Sequence, residues 1–259
     1  MSKFQYTLQP DIETAEDYNL DMLKTKLGAP IKLPKAVSLR DRYTKLFNQK
    51  NIGKCQSCAM CLGMTKEGYN PSPIFEYFNI RELTGQIHED VGGTLKDTCW
   101  VTSKIGISDI EFWADDNSKW DIKPCEKAYE NALLHKDVSY YRVKTIKEIK
   151  EALYLAKTTD KRIFVIIGIK IYESFESDSC LTTGIVPIPK IDEQILGGHA
   201  LLVDSYDEID MNFKYLEVAN SWGDKNIGDN GFFKIPYNVI ESSLMDAWVI
   251  TDLGDIVTE

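Results

Sequence analysis

Residues 48–61 read "NQKNIGKCQSCAMC". Cys55, Cys58 and Cys61 recur every third residue, just after Gly53. Spacing of this kind can hold a metal, line one face of a helix, or present one reactive thiolate. The run from Cys55 to Met64 is apolar and small, which predicts a buried helix ending by Gly68. The C-x2-C-x2-C pattern resembles part of an iron–sulfur run. On a helix, however, its sulfurs would spread along about 9 Å at ~1.5 Å per residue. Zinc knuckles pair two such motifs, and no second C-x2-C follows. No metal and no cofactor are therefore expected.

Working outward, 259 residues suffice for one large domain or two lobes sharing a cleft. Forty acidic residues against 30 basic give a net charge of −10 with no basic stripe, which argues against a nucleic-acid partner. The longest apolar stretch, "IFVIIGI" at 163–169, is too short to span a bilayer, so no membrane partner is expected. The first twenty residues lack a secretory pattern. A cytoplasmic location follows, with release by lysis or another route left open. Six cysteines in a chain of this length do not make a disulfide scaffold.

Residues 1–33 are polar and acidic and read as a short leader with few core signals, partly draped or mobile. Residues 34–135 read as mainly helical. Ser72 with Pro73, Thr94 with Asp97, and Thr145 with Glu148 mark helix starts. Ile146, Ile149, Leu153 and Ala156 share one face of the helix that opens at Thr145. Residues 136–259 read as mainly β. "RIFVIIGIKIY", "HALLVDSYDE", "KYLEVANSWG", "GFFKIPYNVI" and "AWVITDL" are rich in β-branched and aromatic residues. Helices first and antiparallel strands second give an α+β class, with a cleft between the two lobes as the natural site.

A reactive thiol needs a base, and the chain has three histidines. His135 in "NALLHKD" and His88 in "GQIHED" have polar surroundings suited to the surface. His199 opens a hydrophobic strand after two glycines, in "LGGHALLVDSY", and Asn220 ends a strand 21 residues later, in "ANSWG". An upstream cysteine, this histidine and this asparagine make a Cys-His-Asn constellation.

These motifs resemble, in chain order, those of papain-type cysteine peptidases, over residues 34 to about 253. "LPKAVSLRD" is similar to the start of the mature enzyme, with Ser38 at a position usually acidic. "NQKNIGKCQSCA" resembles the glutamine-to-cysteine segment in the form found in compact bacterial and viral members. "GGHALLVDSYD" resembles the histidine strand, "ANSWG" the asparagine turn, and "GDNGFFKIPYN" the glycine-aromatic strand.

The resemblance implies a papain-like two-lobe fold, a helical N-terminal lobe and an antiparallel β-barrel-like C-terminal lobe. It also implies hydrolysis of peptide or protein substrates through a thioester, as an endo- or exopeptidase. Two registers compete. Laying C-G-S/A-C-W/Y on "CQSCA" makes Cys58 the nucleophile. In the family a glutamine lies six residues, and a glycine two, before the nucleophile; Gln49 and Gly53 stand so before Cys55, whereas Ile52 would take the glutamine position for Cys58. Cys55 is preferred and Cys58 is the alternative.

The resemblance then implies that His199 pairs with the thiolate and Asn220 orients the imidazole under Trp222. Gln49 would donate to the oxyanion, and Gly92 and Gly93 would offer backbone to an extended peptide. Cys58 and Cys61 become helix filling. Ile52 occupies a family half-cystine position, which sets the chain apart from disulfide-bonded members. The competing readings are a non-catalytic binding protein of the same fold, and a thiol transpeptidase or amidase.

Overall fold

Every residue of the helix Cys55–Met64 (α2) is buried, as expected for a helix without a polar face. The computed structural model describes residues 2–27, 32–136, 138–159, 161–223 and 226–252. Before α2 come the helix Leu20–Leu27 (α1) and the short strand Ala36–Ser38 (β1). After it come the helices Pro73–Leu83 (α3), Leu95–Lys104 (α4) and Glu126–Ala132 (α5). Ser72 and Thr94 cap α3 and α4 by accepting from the Phe75 and Asp97 amides. The deepest of the three sulfurs, on Cys61, faces another helix. Cys61 donates to Glu76 Oε2 of α3 at 3.7 Å, and Thr102 of α4 donates to Glu76 Oε1 at 2.6 Å. Burial raises the Glu76 carboxyl well above its ordinary range, against the bonds from Thr102 and Cys61.

The second half contributes strands Ser139–Val143 (β2), Ile163–Tyr172 (β3), Ile195–Asp207 (β4), Tyr215–Ala219 (β5), Phe232–Pro236 (β6) and Leu244–Thr251 (β7). Helices Ile146–Thr158 (α6), Asp178–Thr183 (α7) and Tyr237–Ser243 (α8) lie among them. The strands form one antiparallel seven-stranded sheet in the order β2-β7-β3-β4-β5-β6, with β1 paired to β4. Among the described residues no pairing joins β6 to β2, so the sheet is open, which fits the expected α+β two-lobe architecture. Central β3 is buried from Ile163 to Ile169 because helices cover both of its faces. α6 begins with a full capping box at Thr145 and Glu148 and buries Ile149, Leu153 and Ala156.

Two elements depart from the sequence reading. "GFFKIPYNVI" is strand only as far as Pro236, where the chain turns into α8; proline has no N–H to continue the ladder. Residues 2–27 contribute to the core through Leu8, Leu20 and Leu23, all at most 3% exposed. They are isolated leucines in polar surroundings and show no periodicity in the sequence. Arg142 of β2 anchors this segment, binding Asp11 at 2.6 Å and Asp17 at 2.7 Å while stacking on Trp248. Among the described residues no helix is long and apolar enough to cross a membrane.

Gly63 marks the tightest contact between α2 and the sheet. A Cβ there would lie 2.2 Å from the Phe164 ring of β3. Alanine would gain about 1 kcal/mol of helix propensity against roughly 1–3 kcal/mol of overpacking. The buried ring has little freedom to move, so Gly63→Ala should lower stability, by up to about 2 kcal/mol net in urea unfolding.

Candidate active site

The site forms where the first turn of α2 meets β4. Cys55 is the first residue of α2; its thiol donates to Gln56 Oε1 at 3.5 Å, and the nearby backbone amides of Ala200, Gln56 and Cys55 itself favour its thiolate. Ala200 follows His199 on β4, so the thiol lies beside the imidazole's own backbone. His199 is held in register opposite Ile169 of β3. Asn220 follows β5, where its amide donates to Gly231 O at 3.0 Å.

Asn220 Oδ1 lies 2.8 Å from His199 Nε2 and also accepts the Ser221 amide at 2.7 Å. The second bond fixes which end of the Asn220 side chain faces the ring, because a backbone N–H needs an acceptor. Nε2 therefore carries the proton. Nδ1 is left with its lone pair and has no hydrogen-bond partner. Trp222 stacks over His199 at 5.5 Å and 25°, which keeps water from the Asn220 bond.

Gln49 is fully buried and tied down on several sides. Ser221 Oγ donates to its Oε1 at 2.6 Å, its amide donates to Ser221 O, and its carbonyl accepts from Asn117 Nδ2. Its Nε2 donates to Gln5 O at 3.1 Å and Ile52 O at 3.3 Å. The structure thus brings Cys55, His199, Asn220, Gln49 and Trp222 together. Cys58, the alternative nucleophile, lies one turn deeper in α2; burial pushes its thiol up, with Lys54 as the main offset. His135 stacks on Tyr69, away from these residues.

The cleft is occupied by the chain's own N-terminal segment. Phe4 stacks on Trp222 at 3.8 Å, and Tyr6 meets the His199 ring edge-on at 5.4 Å. Leu8 N–H donates to Gly198 O at 3.1 Å and Gln9 N–H to Gly93 O at 3.0 Å. Thr7 passes so close to Gly92, at φ 76°, that a Cβ there would lie 2.0 Å from Thr7 O; one on Gly198 would lie 2.3 Å from Leu8 O. Gly93 thus offers its carbonyl to an extended strand, and here that strand is residues 4–9.

Sequence reasoning missed the groups that hold this segment and the turn before Cys55. Asp90 accepts from the Gly53 amide at 2.9 Å and from the Tyr77 hydroxyl. It ties down the turn next to Ile52, at the place of the family half-cystine. Glu176 accepts from Ser2 Oγ at 2.6 Å, Lys3 N at 2.7 Å, Tyr6 Oη at 2.8 Å and Phe4 N at 3.3 Å. Nothing in their local sequence marks either carboxylate.

Beneath this cover burial favours the uncharged forms of Cys55 and His199. Burial pushes the Cys55 thiol up to about 11, against the three amides that favour the thiolate. Burial pushes His199 down to about 4, partly offset by Asn220. Among the described residues no group of three or more His, Cys, Asp or Glu side chains could hold a metal ion.

Burial alone would raise the Glu176 carboxyl, but the bonds from Ser2, Lys3, Tyr6 and Phe4 outweigh it and hold the group below its ordinary 4.5. A lowered carboxylate stabilises the closed segment fully above pH ~4.5 and loses that effect as pH falls through the lowered value. In amide hydrogen exchange, residues 2–9 should lose protection below about pH 4.5. At neutral pH, Glu176→Gln should speed their exchange about tenfold, the usual weight of a charge-assisted bond.

Residues 91–251 match the profile of the papain family of cysteine proteases. An uncharacterized peptidase C1-like protein of Acanthamoeba polyphaga mimivirus is 32% identical over 238 residues, covering 87% of this chain and 73% of that protein. The crystal structure of xylellain, a cysteine protease from Xylella fastidiosa, superposes with a TM-score of 0.80 at 27% identity, covering 96% of both chains. Digestive procathepsin L2 from Tenebrio molitor larval midgut has the same fold, with a TM-score of 0.67 at 15% identity over 96% of this chain and 78% of that one.

Proposed function

The chain belongs to the papain family of cysteine proteases, and on that premise we propose that Cys55 is the nucleophile, His199 the base and acid, Asn220 the orienter and Gln49 an oxyanion donor. The supporting observation is the His199 tautomer: Nε2–H is committed to Asn220, while Nδ1 is unpartnered beside the first turn of α2.

Once the cleft is open, Nδ1 takes the proton of the Cys55 thiol. The helix N-terminus and the Ala200 amide then favour the thiolate. The sulfur attacks the scissile carbonyl carbon, and its oxygen becomes an anion held by Gln49 Nε2 and the Cys55 amide. The imidazolium gives its proton to the departing amine, leaving a thioester. His199 then takes a proton from water, whose oxygen attacks the thioester; the acid leaves and the thiol is restored.

Residues 2–9 act as an internal cover in this reading. They fill the cleft and keep the pair in its uncharged form, so the segment must move before substrate enters. Peptides or proteins are the substrates. Six unpaired cysteines suit a reducing compartment, which supports a cytoplasmic site of action.

Cys55→Ala should abolish hydrolysis of small peptide–dye amides, and Cys58→Ala should leave it largely intact. Gln49→Ala should lower kcat by about 10²–10³, the usual effect of losing one oxyanion donor. Activity surviving in Cys55→Ala but lost in Cys58→Ala would reverse the choice of nucleophile.

A further inference from the structure

Cys58 has no part in the proposed hydrolysis, yet it completes a C-x-x-C with the nucleophile at the start of a helix. A helix sets residues i and i+3 on one face, and a side chain there leans back over the preceding turn. The groups acting on the Cys58 thiol fit that direction, since they include Lys54 and Cys55, four and three residues back. Both sulfurs also border the same residue of β4. The Ala200 amide lies beside the Cys55 thiol, and Cys58 lines a small enclosed cavity with Ala200, Ala219 and Asn220.

We infer that Cys55 and Cys58 form a reversible disulfide when a peroxide oxidises the nucleophile, so that the enzyme is switched off and Cys55 is protected from irreversible oxidation. The inference rests on the assignment of Cys55 as nucleophile above.

Residues three apart on a helix have Cα atoms about 5 Å apart, within the roughly 4.4–6.8 Å that a disulfide spans. Their Cβ atoms, about 5–6 Å apart, must close to the ~3.5–4.5 Å of a bridge. Cys55 can make that shift while α2 stays seated. It is the first residue of the helix, so its amide has no helical partner, and the N-cap Lys54 adds no side-chain bond to the turn. Lys54 is instead fully buried with its ammonium on Asp115, and it is the main group favouring the Cys58 thiolate against burial. Thiolate is the form of a thiol that attacks a second sulfur. Cys61 lies one turn deeper and is engaged elsewhere, donating to Glu76 at 3.7 Å.

The steps balance with hydrogen peroxide as the oxidant, which reaches Cys55 through the cleft once residues 2–9 move. The Cys55 thiolate attacks one peroxide oxygen and the O–O bond breaks. The departing hydroxide takes the proton of the His199 imidazolium and leaves as water, and Cys55 is then a sulfenic acid. The Cys58 sulfur attacks the Cys55 sulfur, the S–O bond breaks, and hydroxide leaves as water with the Cys58 proton. Two thiols and one peroxide thus give one disulfide and two waters. An external dithiol reverses the bond by exchange and is itself oxidised. A transient, regulatory disulfide is the kind that a reducing compartment allows.

The test treats the full chain with hydrogen peroxide and traps the remaining thiols with N-ethylmaleimide in acidic urea. The tryptic peptide 55–66, which carries Cys55, Cys58 and Cys61, is then mapped by mass spectrometry. Hydrolysis of a peptide–dye amide is measured on the untrapped protein before and after dithiothreitol. Cys55 and Cys58 should both escape the maleimide with the loss of about 2 Da, Cys61 should be trapped, and dithiothreitol should restore activity.

In Cys58→Ser the same treatment should carry Cys55 to the sulfinic acid, a gain of about 32 Da, and dithiothreitol should recover at least about tenfold less activity. Should that variant fail to fold, the map of the unaltered chain decides the matter. A bond from Cys55 to another cysteine, sulfinic Cys55 with Cys58 still free, or equal recovery in Cys58→Ser would overturn the inference alone. Hydrolysis that survives Cys55→Ala would overturn the assignment of the nucleophile and this inference with it.

Discussion

The seating of α2 against β4 is the contact on which the site depends. It places the first turn of a wholly buried helix, with its unpaired amides and positive dipole end, beside the backbone of His199 and Ala200. Neither element has freedom to drift. β4 is paired on both sides along the sheet, and α2 is packed on Phe164 through Gly63 and linked to α3 and α4 through Cys61, Glu76 and Thr102. Asn220 and Gln49 are then brought in by one short turn. Ser221 donates its amide to the Asn220 side chain, its hydroxyl to Gln49 Oε1, and accepts the Gln49 amide at its carbonyl. A single serine therefore ties Asn220 to Gln49.

In the proposed mechanism the three cysteines of residues 48–61 divide into one reactive position and two packing positions. Cys55 sits where the helix begins and amides are unspent. Cys58 and Cys61 lie where the amides are already committed to the helix, and they behave as small buried hydrophobes. Distance from the helix start, and not sulfur chemistry, separates them.

Much of this was legible in the sequence because it rests on local rules. Ser72, Thr94 and Thr145 announce helix starts by side-chain capping, and β-branched runs announce the strands of the sheet. His199, Asn220 and Gln49 could be singled out from their motifs. What was not legible depends on contacts distant in the chain. Asp90 and Glu176 are ordinary surface-like acids until the fold sets them opposite Gly53 and Ser2. Leu8, Leu20 and Leu23 carry no periodic signal, yet they anchor a segment that otherwise reads as a polar leader. The open edge of the sheet, likewise, follows from strand pairing that no single stretch encodes.

That anchored segment is what makes the observed site a closed one, with an uncharged thiol and imidazole beneath Phe4, Gln5 and Tyr6. The most direct test of the account is alkylation by a thiol-directed epoxide inhibitor, with the modified residue mapped by mass spectrometry, in the intact chain and in a Phe4→Ala/Tyr6→Ala variant. The account predicts modification of Cys55 alone, faster in the variant because the cover is loosened. Modification of Cys58, or of Cys55 at the same rate in both proteins, would contradict it.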